Sequence, residues 1–250
     1  PIYASAFYAL SVLPEDFHEW EYLANSRTPE AYNKIVKGNA DIIFVAQPSG
    51  GQKKRAEESG VTLLYTPFAR EAFVFIVNAD NPVNSLTEQQ VRDIFSGAIT
   101  NWRTVGGKDQ EIQTWQRPED SGSQTVMQSQ VMKNVRMISP QETEVASMME
   151  GMIKVVAEYR NTINAIGYTF RYYATQMNAD KNIKLLAING IAPTAENIRN
   201  GKYPYIVDAF MVTRENTTSE TQKLVEWFLT PQGQSLVEDV GYVPMYPTMK

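Results

Sequence analysis

Not one cysteine occurs in the 250 residues, and His18 is the only histidine. These absences remove disulfides, thiol catalysis, cysteine-bound zinc and iron–sulfur clusters, and a Ser–His hydrolase would have to use His18. His18 sits in the polar-aromatic connector Pro14-Glu-Asp-Phe-His-Glu-Trp20, a setting that suits a packed or surface imidazole better than a catalytic one. Positive charge is also scarce. With 23 Lys and Arg against 28 Asp and Glu the net charge is −5, so no basic stripe suits nucleic acid or an anionic membrane surface. There is no apolar run of transmembrane length, no low-complexity tract and no internal repeat. The half-loop Asn78, Asp80, Asn81 lacks the glycine and late glutamate of a calcium site and reads as a turn. No metal, cofactor or catalytic residue is expected.

What the sequence does contain is an anion-binding pattern. Arg117-Pro-Glu-Asp-Ser121-Gly122-Ser123-Gln124 places an always-charged guanidinium four residues before a Ser-Gly-Ser that opens a helical pattern. Amides at a helix start, the positive end of the helix dipole, two hydroxyls and a planar guanidinium together suit an oxyanion. The same Ser-Gly-Ser is also an ordinary N-cap signal.

The surrounding pattern is α/β. Thr28-Pro29-Glu30 predicts a helix capped by Thr28, burying Tyr32, Ile35 and Val36 and ending at Gly38. Asp41–Ala46 follows as a buried strand bounded by Gln47-Pro-Ser-Gly-Gly51, and Arg55–Gly60 reads as a helix. Val61–Tyr65 and Glu71–Val77 read as two strands, and Thr87-Glu-Gln-Gln90 as a capping box before a helix ended by Gly97. Glu111–Trp115 is expected to be the strand that delivers Arg117 at its carboxyl end, where ligands of open α/β sheets bind.

A helix from Ser123 would bury Val126, Met127, Val131 and Met132. Another over 144–159 carries Met148, Met149, Met152, Val155 and Val156 as core filler. Residues 1–13 read as a buried helix. Strands are expected over 164–170, 183–188 and 205–213, the last partnering Glu71–Val77, with closing helices over 217–229 and 231–240.

Several passages in chain order resemble the extracytoplasmic phosphate-binding subunits of ABC transporters, a family with the type II periplasmic-binding-protein fold. They are Ala69-Arg-Glu-Ala-Phe-Val-Phe-Ile-Val-Asn78, Asn81-Pro-Val, Ile94-Phe-Ser-Gly-Ala-Ile-Thr-Asn-Trp102, the Arg117–Ser123 motif, Ile166-Gly-Tyr168 and Gly241-Tyr-Val-Pro244. The resemblance implies two α/β lobes, mixed sheets flanked by helices and joined by two hinge strands. Residues 1–78 with 205–250 would form lobe 1 and residues 79–204 lobe 2. It implies anion contacts from Arg117, Ser121, Gly122 and Ser123 in lobe 2 and from Thr28 in lobe 1, with Ser26, Ala46 and Gln47 as secondary candidates.

In this frame the family's first strand and its Thr-Phe anion loop would precede Pro1, so lobe 1 is expected to lack that strand. Ala46 stands where many members carry an aspartate that accepts the proton of hydrogen phosphate. The Gln47 carbonyl oxygen and the hydroxyls of Ser49 and Thr28 are the alternative acceptors. The function implied is a monomeric, non-enzymatic receptor that captures phosphate or a similar oxyanion for an ABC permease. It would act outside the cytoplasm, with lipid anchoring through a removed N-terminus. The alternative is a scaffold or sensor module with an altered or inactive cleft. An esterase built on Ser121 ranks last, because no histidine or lysine lies near it in sequence.

Overall fold

The computed structural model describes residues 26–139, 153, 156, 163–177 and 179–249. The expected helix over 1–13 and His18 lie outside the described residues. So does most of the helix expected over 144–159, of which Ile153 and Val156 are described, both buried.

In chain order the elements begin with α1 (Thr28–Lys37), β1 (Ile42–Val45), α2 (Gly50–Glu58), β2 (Leu63–Asn78), β3 (Ser85–Leu86) and α3 (Glu88–Ser96). A 3₁₀ turn at Trp102–Val105 leads to β4 (Gln113–Thr114) and α4 (Gly122–Val126), which runs on as a π-helix over Met127–Met132. Then come β5 (Ala165–Phe170), a second π-helical stretch at Tyr173–Met177, β6 (Ile183–Leu185), β7 (Ala187–Ile188) and α5 (Ala195–Arg199). The chain continues through β8 (Ile206–Arg214), α6 (Ser219–Phe228), α7 (Pro231–Val240) and β9 (Val243–Pro244).

The chain packs as two units. The described residues up to Arg70 and from Asp208 onward form the first, and Glu71–Val207 the second. β2 and β8 each carry the chain from one unit into the other.

In unit 1, β1 pairs antiparallel with β8, setting Ile43 opposite Val212 and Phe44 opposite Met211. Successive strand side chains point to opposite faces, so Met211 and Val212 serve different layers. Met211 packs with Phe68, Phe228 and Val237, bringing α6 and α7 onto one face. Val212 packs with Ala31, Tyr32, Ile35 and Ile43, bringing α1 onto the other. The helix ends follow local chemistry. α1 stops at Gly38 in the left-handed region, φ 77°, and α7 starts with Thr230 as cap, Pro231 as first residue.

Gln234 ties this unit together. Fully buried, its Nε2 donates to the carbonyls of Phe68 (2.9 Å) and Phe228 (2.7 Å), while its Oε1 accepts from the amides of Met245 (2.8 Å) and Tyr246 (3.0 Å). Each polar atom of the side chain thus carries two bonds to backbone.

Unit 2 is built on the other half of β2, which pairs antiparallel with β5 (Phe73 opposite Phe170 through Val77 opposite Ile166) and with β6. β4 joins β5 in parallel, and β3 pairs with β7. Its core is aromatic: Phe73 and Phe95 lie 5.4 and 5.5 Å from Tyr168 between ring centroids, and Phe75 lies 5.9 Å from both Phe95 and Tyr205. Asn81 is buried, with Nδ2 donating to the Ile163 carbonyl at 2.8 Å and Oδ1 accepting from Val83 N at 2.9 Å. Thr87 and Gln90 form the expected capping box, and Gly97 ends α3.

Four expectations need correction. The two strands 61–65 and 71–77 are one 16-residue strand running through Pro67, since proline's φ fits an extended chain and costs only one donor. The helix expected from Arg55 starts at Gly50, because Ser49 and Gln52 form a capping box ahead of the glycine pair. Residues 183–188 are two strands. The chain changes partner at Leu186, whose amide donates to the Phe75 carbonyl at 2.9 Å. Of 111–115 only Gln113–Thr114 is ladder strand, Glu111 making an isolated bridge to Asn101. No helix among the described residues is long and apolar enough to cross a membrane.

Two stability predictions follow from these packings. A Cβ on Gly233 would lie 2.3 Å from the Trp227 carbonyl oxygen and 2.6 Å from Phe228 Cα. Both are backbone, so Gly233→Ala should cost roughly 1–3 kcal/mol or more in urea unfolding. An unchanged midpoint would show that the α6–α7 turn yields.

Glu71 is buried, and desolvation pushes its carboxyl up to about 7, against the amides of Ala72 (2.7 Å) and Tyr172 (2.9 Å) and the nearby Arg171 charge. A carboxyl raised in the fold contributes most below its unfolded value near 4.5, and that contribution is lost as pH rises through about 7. Wild type should therefore lose on the order of 2 kcal/mol more than Glu71→Gln between pH 5 and pH 8. Parallel pH profiles of the urea midpoints would refute this.

Candidate functional site

Arg117 is held at the end of a short parallel ladder. Gln113 N donates to the Asn164 carbonyl at 3.0 Å and Trp115 N to the Ile166 carbonyl at 2.9 Å, so the strand ends as Arg117 begins. There the ladder is replaced by side chains: Arg117 N donates to Tyr168 Oη at 3.1 Å and more weakly to Gln124 Oε1 at 3.4 Å. Tyr168 Oη in turn donates to Gln124 Oε1. Burial pushes the Tyr168 hydroxyl far above the ordinary tyrosine range, with Arg117 pulling the other way, so it stays a neutral donor. Arg117 itself is only 8 % exposed.

Between strand and helix lies a tight turn. Ser121 N donates to the Pro118 carbonyl at 3.2 Å, and Asp120 adopts a left-handed φ of 64°. Ser121 then caps α4, its Oγ accepting from Gln124 N at 3.2 Å and its carbonyl from Thr125 N at 2.9 Å. A capped helix start still leaves its first amides without intrahelical acceptors. Here those amides belong to Gly122 and Ser123. Both residues are buried, and neither amide has an acceptor among the described residues. Ser123 Oγ is likewise buried with no hydrogen-bond partner there. Two amides and one hydroxyl thus gather in one buried turn of chain, next in sequence to Arg117 and Ser121.

The unit 1 candidates fare differently. Arg27, not Thr28, occupies the cap position of α1, and Glu30 reaches back to accept from Arg27 N at 3.4 Å. Thr28 is the first helical residue, with no hydrogen bond from its hydroxyl among the described residues, and Pro29 follows in second place. The helix begins one residue earlier than expected: the Glu30 carboxylate meets the Arg27 amide, so Thr28 falls inside the first turn. Ser26 Oγ accepts from Lys34 Nζ at 2.8 Å. Ala46 offers its carbonyl, which accepts from Tyr32 Oη at 3.1 Å, and Gln47 lies between β1 and α2. The Ser49 hydroxyl, expected as a proton acceptor for the ligand, accepts from Gln52 N at 3.1 Å as the cap of α2.

Tyr168 and Gln124 were not among the candidate site residues. Tyr168 lay in the family-like passage Ile166-Gly-Tyr168, but nothing local marked its hydroxyl as a partner of Arg117. Gln124 carries no signal, because a glutamine at the third helical position is ordinary.

With this geometry in hand, the relatives can be weighed. The family model for the PBP superfamily domain matches residues 19–232. The phosphate-binding protein PstS of Bacillus subtilis is 28 % identical over 209 residues, covering 83 % of this chain. The chain spans 64 % of that relative's length. PstS of Borreliella burgdorferi is 26 % identical over 218 residues, covering 85 % of this chain and 74 % of its own. A Clostridium perfringens structure with bound phosphate superposes with TM-score 0.69 at 24 % identity, covering 86 % of this chain and 84 % of its own. At that identity the likeness speaks for the fold, which is mixed α/β of the type II periplasmic-binding-protein kind. With a matching model over most of its length, the chain belongs to the PBP superfamily domain family.

Proposed function

We propose that this chain is the solute-binding component of an ABC importer and that its solute is phosphate. One observation carries the reading: the amides of Gly122 and Ser123 and the Ser123 hydroxyl are buried donors with no protein acceptor among the described residues, in the same loop as Arg117. Buried donors are rarely left unsatisfied in folded proteins, and each costs about 1–3 kcal/mol when it is. An oxyanion satisfies all three at once and brings the negative charge that Arg117 and the helix dipole favour. The names of the relatives make phosphate the first choice among oxyanions.

The rest of the reading follows from that role. The chain binds and releases without catalysis: Ser121 Oγ serves as a helix cap, and no base among the described residues hydrogen-bonds to it. Its macromolecular partner is the permease, it acts outside the cytoplasm as a monomer, and a lipid anchor upstream would hold it at the membrane. Thr28 stands as the candidate ligand in unit 1. With alanine at position 46, no carboxylate there repels a fully deprotonated anion, so discrimination against sulfate should be weaker than an aspartate would give.

Isothermal titration with inorganic phosphate tests this directly. Wild type should bind with micromolar affinity or better. Arg117→Ala should weaken binding by about thirty- to several thousand-fold, and Ser123→Ala by roughly three- to tenfold. Absence of heat and of any thermal shift in excess phosphate or sulfate would favour the scaffold or sensor role instead.

A further inference from the structure

We infer that Tyr168 and Gln124 are positioning residues for the anion loop, fixing Arg117 and the α4 amides in one rigid arrangement before the ligand arrives. The inference rests on the phosphate reading above and names what sets the affinity of that site.

The geometry is a closed set of bonds joining strand, sheet neighbour and helix. Tyr168 lies on β5, fully buried, its ring packed between Phe73 and Phe95. That packing fixes its hydroxyl, which accepts from Arg117 N and donates to Gln124 Oε1. Gln124 is 5 % exposed and belongs to α4, and its own amide is capped by Ser121 Oγ. Its Nε2 faces Met137 Sδ at 3.8 Å, a weak acceptor that leaves the oxygen to carry the orientation.

The start of Arg117 and the start of α4 are therefore tied to one tyrosine oxygen. Neither residue needs to touch the anion to govern it. Ordering a charged loop at the moment of binding costs affinity, and a loop ordered beforehand avoids that cost. Tyrosine suits the task because its oxygen both accepts and donates, and its ring cannot swing while packed in an aromatic core. Phenylalanine keeps the packing and loses both bonds.

The experiment combines phosphate titration with amide exchange on the full chain. Tyr168→Phe should weaken phosphate binding about three- to tenfold and speed exchange of the Arg117 amide in the ligand-free protein. In an Arg117→Ala background the same change should cost less than in wild type, because the guanidinium is gone and only the α4 amides remain to be positioned. Additive losses in that double-mutant cycle, or unchanged affinity and exchange in Tyr168→Phe, would overturn the inference. Should Tyr168→Phe fail to fold, Gln124→Met removes the acceptor at similar length and is carried through the same measurements. A wild type that does not bind phosphate overturns the anion reading, while exchange of the Arg117 amide still decides whether the tyrosine holds the loop.

Discussion

A helix start that keeps its amides buried and unclaimed is the constraint on which unit 2 is organised. Ser121 spends its hydroxyl on Gln124 N, yet the amides of Gly122 and Ser123 have no acceptor among the described residues. Such groups oppose folding, and the surrounding structure has to outweigh them. It does so with the aromatic cluster of Phe73, Phe75, Phe95 and Tyr168, and with ladder bonds from β4 and β5 that continue to the residue before Gln116. In the proposed role, energy withheld in the free protein would become available when a negative solute supplied those acceptors.

Unit 1 shows the opposite use of a buried polar group. Gln234 has every donor and acceptor engaged, so it locks α7, β2 and the segment after β9 into one arrangement and offers nothing to a ligand. Ser123 has none engaged among the described residues. Both side chains are small, neutral and almost fully buried, so burial alone does not separate structural from functional polarity. The balance of bonds made against bonds available does.

How much of this was legible in advance depended on whether the cause was local. The Thr87–Gln90 box, the Gly38 and Gly97 stops and the start of a helix at Pro231 were all visible, because capping is decided within a few residues. The Ser121 turn was visible for the same reason. The gap expected between Tyr65 and Glu71 was misjudged because the strands beside β2 in each unit, not its own sequence, decide that it stays extended. Thr28 lost the cap position because the helix begins one residue earlier, where the Glu30 carboxylate meets the Arg27 amide. Tyr168 and Gln124 lie 44 residues apart and meet only through the sheet, so no spacing rule could join them. The same limit applies to Gln234, which is 166 residues from the Phe68 carbonyl it binds.

Net charge constrains how the proposed anion site would have to work. A chain of charge −5 repels phosphate at long range, so the broad field gives no help in gathering ligand. Attraction has to come from within hydrogen-bond distance, from fixed dipoles and one guanidinium in a loop shielded from water. Fields of that kind are little affected by salt, because buried groups are poorly screened. They also depend steeply on geometry, since a dipole that turns away contributes nothing. A site of this design therefore gains more from rigidity in its supporting residues than from additional positive charge. On the proposed reading, a tyrosine outside the anion-contact set would therefore matter to binding as much as the arginine whose amide it holds.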